Sequence, residues 1–460
     1  MKRFDKNKYL KKIKIKRWLS NYSRYLYLGL SCILVCTLGV YLAYSKFFVS
    51  KEEAVIKTTV GNFIQGDVVI SAYIDNEYSS TIPGKDDGYV VEKVVCDNGA
   101  TGEWDEDKWG LLTTNLTKRT KCNVYFKKVV SKVPDIIATV DTSGKCPTMN
   151  ADGSVSVTAK EVTNGYLCKA KDSYGDSYYY RGNVTNNYVK FADKYWRIVR
   201  INGDGTVRVI YDGTSSHANG ESSSDRQIGT SAFNRSYNDN AYVGYMYGAT
   251  GASTYATAHA NTNDSTIKAY IDNWYKANIL GTANEEYLAD NIFCNDRSIS
   301  SNKPSSSFNN LGYGANATAY RWYYFANSSY NNKMMLTCPQ QNDAFTVSDT
   351  INGNGALTYP IGLLSMDEIV LAGGWSTSSG WSTSNSGYYL YSGQVWWASS
   401  PFSFDGNNAF VRGVLSNGNA NLDCYVNSAS GVRPVFNLKA DALAQGSGTA
   451  SDPYRISLNS

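Results

Sequence analysis

Residues 195–211, YWRIVRINGDGTVRVIY, decide the class of the larger part of this chain. Two runs rich in Val, Ile and aromatic residues, YWRIVRI (195–201) and TVRVIY (206–211), flank NGDG (202–205). The Gly and Asn/Asp of that loop supply the positive-φ positions a tight turn needs, so the segment predicts an antiparallel hairpin. Toward the C-terminus, VWWASS (395–400), AFVRGVL (409–415), LDCYVN (422–427) and GVRPVFNL (431–438) are again strand-like, separated by Asn, Gly and Ser loops. Two helices interrupt the strands. Asp264 or Ser265 can cap the first, in which Ile267, Ile271, Trp274 and Tyr275 share one face. In LSMDEIVLAGG (364–374), Ser365 and Glu368 form a capping box, Leu364 and Ile369 a hydrophobic staple, and Gly373 the stop. Two helices among many short antiparallel strands predict an α+β domain over 173–460, with 212–262 as long surface loops.

Toward the N-terminus, residues 129–172 are rich in Ser, Thr and Gly and read as a connector. Residues 64–128 read as a small antiparallel β module, with DVVISAYID, GYVVEKVVCD and TKCNVYFKK as strands and Trp104 and Trp109 placed to cover them. Residues 47–63 form a charged stalk. Before it, residues 25–46 include an uncharged stretch, Tyr25 to Tyr44, long enough to cross roughly 30 Å of hydrocarbon as a helix. Residues 1–24 carry ten Lys or Arg (Lys2, Arg3, Lys6, Lys8, Lys11, Lys12, Lys14, Lys16, Arg17, Arg24) against Asp5. Such an excess of cations ahead of an apolar run predicts a cytoplasmic tail, a single-pass signal anchor and extracellular C-terminal domains, tethered to the cell membrane.

Charge and cysteine content narrow the function. The tail carries +9 of a formal net +4, which leaves −5 on the remainder and argues against nucleic acid as a partner. Tyr reaches 37 of 460 residues, a frequency that goes with buried aromatic area or with contact surfaces rather than with disorder. Cys32 and Cys36 fall in the apolar run. Of the other seven cysteines, Cys96 with Cys122, Cys146 with Cys168 and Cys294 with Cys338 pair most simply in sequence order, each inside one apparent unit, and Cys424 is left over. The acidic run Glu103, Asp105, Glu106, Asp107 lacks the glycine and spacing of a calcium loop. Two histidines, His217 and His259, do not suggest a zinc site, and Gly373-Gly374 ends a helix rather than opening a phosphate cradle. No metal and no cofactor are expected.

The motifs WRIVRINGDGTVRVIYDG, LTYPIGLLSMDEIVLAGG, WWASSPF, GVRPVFNL and GSGTASDPY together resemble an uncharacterised family of bacterial surface domains. Those domains look like the C-type lectin-like fold of formylglycine-generating enzymes and of the variable proteins of diversity-generating retroelements; the likeness covers about 174–457. The segment AYIDNEYSS…CDNGATGEWDEDKWGL…TKCNVYFKK is similar to a short module of Gram-positive surface proteins. The resemblance implies a surface adhesion or binding protein that recognises a protein or glycan. In the resembled variable proteins the stretch before the closing G-x-R strand is the recognition surface, which here presents Asp405, Asn407, Asn408, Arg412, Asn417, Asn419, Asn421, Tyr425 and Asn427. Arg433 with Trp396 or Trp397 reads as a structural lock on the last strand. The sugar-binding triplets of animal C-type lectins do not occur, and neither does the cysteine pair of formylglycine-generating enzymes. An exported enzyme of that sulfatase-modifying kind would have to use Cys424 as a lone nucleophile, and an envelope spacer without a ligand is the third reading.

Overall fold

The computed structural model describes residues 68–456 apart from 86, 106–107, 116–118, 325–332, 376–383 and 421, together with 11, 12, 14 and 16. The chain divides into two compact units, Met1–Lys127 and Lys128–Ser460.

The first unit is built on a four-stranded sheet in the order Glu77–Ser79, Val68–Ile74, Thr120–Lys128, Tyr89–Cys96. Alternation along TKCNVYFKK buries Cys122, Val124 and Phe126, and Trp104 packs edge-on against Phe126 with ring centres 5.3 Å apart. Cys96 and Cys122 are joined in a disulfide across this small core. The sheet is mixed rather than antiparallel throughout. Val68–Ile74 runs parallel to Thr120–Lys128, with Ile70 opposite Cys122. A parallel pair needs a long crossover, and the strand Tyr89–Cys96 plus the hairpin of Thr101–Asp105 with Gly110–Thr114 supply it.

In the second unit the hairpin of 195–211 sits in a seven-stranded sheet. The path runs Ile361–Gly362, Val435–Leu438, Val207–Gly213, Lys194–Ile201, Gly175–Gly182, Gly165–Asp172, and Tyr188–Phe191 also pairs with Lys194–Ile201. The NGDG loop closes as its residues dictate: Asn202 N–H donates to the Thr206 carbonyl at 2.8 Å, and Gly205 takes φ +84°. A six-stranded sheet carries Thr230–Ser231, Ser430–Gly431, Trp396–Phe404, Ala409–Val414 and Leu422–Tyr425 in that order, with Thr318–Ala319 on Trp396–Phe404. Residues 129–172 are structured: they hold the short helix Val133–Ile137, the Cys146–Cys168 disulfide and an edge strand of the larger sheet. The third disulfide joins Cys294 to Cys338.

The α+β expectation is corrected to a mainly β chain, with 33% strand and 15% helix. Both expected helices form. Ser265 accepts from the Lys268 N–H to cap Thr266–Asn278, and Ser365 and Glu368 close a capping box on Met366–Leu371. Among the described residues, however, only Thr266–Asn278 exceeds two turns, because the Gly/Ser/Asn-rich stretches fold into two-residue strands and 3-10 turns instead of longer helices. The membrane expectation is corrected as well. No helix among the described residues is long and apolar enough to cross a membrane, and residues 25–46, on which that reading rested, lie outside them.

Both faces of the larger sheet are covered, which buries its arginines. Arg200 donates to Asp172 at 2.6 Å and to Glu368 at 3.1 Å, and Arg208 donates to Glu368 at 2.8 Å. The residue that closes the capping box thus also joins two guanidinium groups. Burial alone would push the Glu368 carboxyl up; Arg208 and Arg200 outweigh it and hold the group below its ordinary value.

Candidate functional site

The segment expected to recognise a ligand folds as three antiparallel strands, and this splits the candidate residues between two ends. Asp405 accepts from the N–H groups of Asn407 and Asn408 at 2.8 and 2.7 Å, closing the turn between Trp396–Phe404 and Ala409–Val414. Asn427, just beyond Leu422–Tyr425, lies at that same end and is exposed. Asn417 and Asn419 belong to the opposite turn, where Asn417 accepts from the Asn419 N–H at 3.0 Å and Asn419 is buried. That turn faces inward: Asn385 donates to the Asn417 carbonyl at 2.8 Å and the Tyr388 hydroxyl to the Gly418 carbonyl at 3.1 Å. Asn421 lies outside the described residues.

Arg412 and Tyr425 lie between the two ends, on the strands themselves. Cross-strand register sets Phe410 opposite Tyr425 and Arg412 opposite Asp423, so these four share one face of the sheet. Arg412 is buried there. It donates to the Trp322 carbonyl at 3.2 Å from Nε and 2.8 Å from Nη2, and its guanidinium lies 4.3 Å from the centre of the Phe402 ring. Its role on this face is to brace rings. Phe402 stacks on Tyr323 at 4.6 Å with 6° between planes, and Tyr323 meets Phe308 at 6.0 Å and Tyr324 at 5.1 Å. On the other side Phe402 meets Phe410 at 6.3 Å, and Phe410 meets Tyr425 at 4.5 Å.

The result is a continuous row of half-buried rings from Phe308 to Tyr425, ending on a Tyr425 that is 47% exposed. Asp423 is exposed beside it. Burial raises the Tyr323 phenol, with Tyr324 and Asp423 pushing the same way and Arg412 opposing them, so its hydroxyl is neutral at physiological pH. Sequence reading named Arg412 and Tyr425 but missed Phe308, Tyr323, Phe402 and Phe410. The one signal available was the alternation that puts Phe410 and Arg412 on the same side of a strand.

The remaining groups of interest sit elsewhere. Arg433 is buried with its guanidinium 5.1 Å from the Trp396 ring, donating to the Leu390 carbonyl at 2.6 Å and to Asp212 at 2.9 Å. Trp397 donates from Nε1 to the Ser231 carbonyl at 2.8 Å. Cys424 is a free, half-buried thiol on the strand Leu422–Tyr425. Both histidines are engaged away from it. The His217 ring nitrogens lie 2.7 Å from Glu221 and 3.0 Å from Asp225, and His259 Nε2 lies 2.9 Å from the Gly312 carbonyl. Among the described residues no group of three or more His, Cys, Asp or Glu is placed to hold a metal ion.

No protein family, no curated protein and no solved structure matches the chain.

Proposed function

We propose that this chain is a binding protein whose Lys128–Ser460 unit uses the aromatic face of the Trp396–Tyr425 strands to hold a protein partner. The observation that carries the reading is the row of rings ending on the open Tyr425. Aromatic side chains concentrate in the centres of protein interfaces because they bury large areas at small cost in side-chain entropy. A buried arginine braced against a backbone carbonyl fixes the rings before any partner arrives, which lowers the ordering cost of binding. The stacked geometry favours protein over glycan here: Tyr323 and Phe402 cover each other's faces, whereas a sugar seeks an open ring face. The likeness of the LLSMDEI and GVRPVFNL motifs to bacterial surface domains points toward contact work too.

The enzymatic alternative has less support. Cys424 has neither histidine as a hydrogen-bonding base among the described residues, and a thiol nucleophile needs one close at hand.

The test is a binding screen of the full chain against arrayed surface proteins and glycans. The reading expects retention of a protein ligand that weakens about 30-fold, the equivalent of about 2 kcal/mol, in Tyr425→Ala. Ile351→Ala, at an 86% exposed loop residue, serves as the control and keeps full binding. Retention of glycans alone, or equal retention by all three proteins, would overturn it.

A further inference from the structure

A second surface of the same unit carries a different arrangement of groups. Where the hairpin of Gly165–Asp172 and Gly175–Gly182 meets the loop 183–187, the chain leaves a cavity of about 510 Å³ lined by Tyr166, Tyr180 and Thr185. A neighbouring cavity of about 260 Å³ is lined by Tyr454 and Ser447. Thr139, Tyr180 and Asn186 line both, so the two adjoin and are treated as one groove. Its larger part alone lies within the ordinary size range of ligand sites, about 300–1,000 Å³.

The groove is rich in uncommitted neutral polar groups. Tyr180 is 3% exposed and Tyr454 is 7% exposed, and among the described residues neither hydroxyl has a hydrogen-bond partner. Structural tyrosines so deeply placed ordinarily bond their hydroxyls, as Tyr188 does to the His217 carbonyl at 2.7 Å. Tyr166 at the wall and the exposed Thr185 and Asn186 at the rim are likewise without side-chain partners among the described residues.

The charged groups of the groove, by contrast, face partners of their own. Lys132 lies 3.6 Å from Asp135. Asp141 accepts from the Ser143 hydroxyl at 2.6 Å and the Lys145 N–H at 3.0 Å. A ligand bearing many neutral hydroxyls finds donors and acceptors together there, while the facing charges of Lys132 and Asp135 offset each other.

We infer that this groove is a binding site for a neutral oligosaccharide, with Tyr180 and Tyr454 at its floor and Thr185 and Asn186 at its rim. The two adjoining cavities together accommodate more than one sugar ring. The site uses none of the residues of the aromatic face, so either can fail alone.

Cellotriose, maltotriose and chitotriose, three neutral trisaccharides, are the probes. Saturation-transfer NMR and titration calorimetry with the full chain measure their binding. At least one is expected to bind, and Tyr180→Phe and Thr185→Val with Asn186→Ala should each weaken it tenfold or more. Thr185 and Asn186 are exposed loop residues, so that double variant keeps the fold even if Tyr180→Phe does not. Binding of none of the three trisaccharides, or binding that the double variant leaves unchanged, overturns the assignment.

Discussion

His259 gives the sharpest quantitative test of the packing in the second unit. The ring is 1% exposed and packs against Tyr255 with centres 3.8 Å apart and planes tilted by 37°. Since the Gly312 carbonyl can only accept, Nε2 carries the proton, and Nδ1 is left buried without a partner among the described residues. Burial first, and then the nearby Arg297, push the imidazole from an ordinary 6.5 down to about 3, against a small upward pull from the Gly312 bond. The sign follows from linkage. Unfolding frees the ring to protonate at its ordinary value, so the unfolded state binds the extra proton at any pH between these two values. Stability from this group is complete above about 6.5 and drains away as the pH falls toward 3, at about 1.4 kcal/mol per pH unit, with a ceiling of about 5 kcal/mol.

The perturbation is His259→Gln, which can still donate to Gly312 but cannot ionise. The assay is guanidinium unfolding of both proteins at several values from about pH 7 down to about pH 4, comparing the difference in unfolding free energy so that all other titrations cancel. Near pH 7 the natural protein should be the more stable by about 1–2 kcal/mol, for the lost ring packing. By about pH 4 the order should reverse. A difference that stays constant across the range refutes the reasoning.

Two further outcomes are expected. Glu368→Gln leaves the buried Arg200 and Arg208 short of a counter-charge and should cost about 3–5 kcal/mol in urea unfolding at neutral pH. Because the Glu368 carboxyl is held below its ordinary value, its contribution is present above about pH 4.5 and lost on acidification, so the penalty of the variant should shrink there. Replacing Cys294 and Cys338 together by Ala opens a loop with a sequence separation of 44 and should lower stability by about 4 kcal/mol on the chain-entropy account, read as a fall in Tm.

What could be read from the sequence was local. The 195–211 hairpin follows from its turn residues, the Ser265 cap and the Ser365–Glu368 box follow from their spacing, and the three disulfides join neighbours in the chain. What could not be read was set by distant partners. Nothing in DVVISAYID says that it lies parallel to a strand beginning at Thr120. Nothing in WRIVRI says that Arg197 and Arg200 end up buried, because that depends on what covers the second face of the sheet. The aromatic row depends on Tyr323, with Phe308 against it, arriving beside Phe402, a contact across roughly eighty residues that leaves no periodic trace. The Asn-rich stretch misled for a related reason: its asparagines serve two turns at opposite ends of the strands, one of them packed against Asn385 and Tyr388.

The central claim is that the ring-bearing sheet face is a contact surface. Its most direct measurement is the dissociation constant of an array-identified protein partner for the natural chain and for Tyr425→Ala, with circular dichroism to establish that both are folded. The account predicts a rise of about 30-fold in the variant with unchanged spectra. Equal dissociation constants for two folded proteins would contradict it.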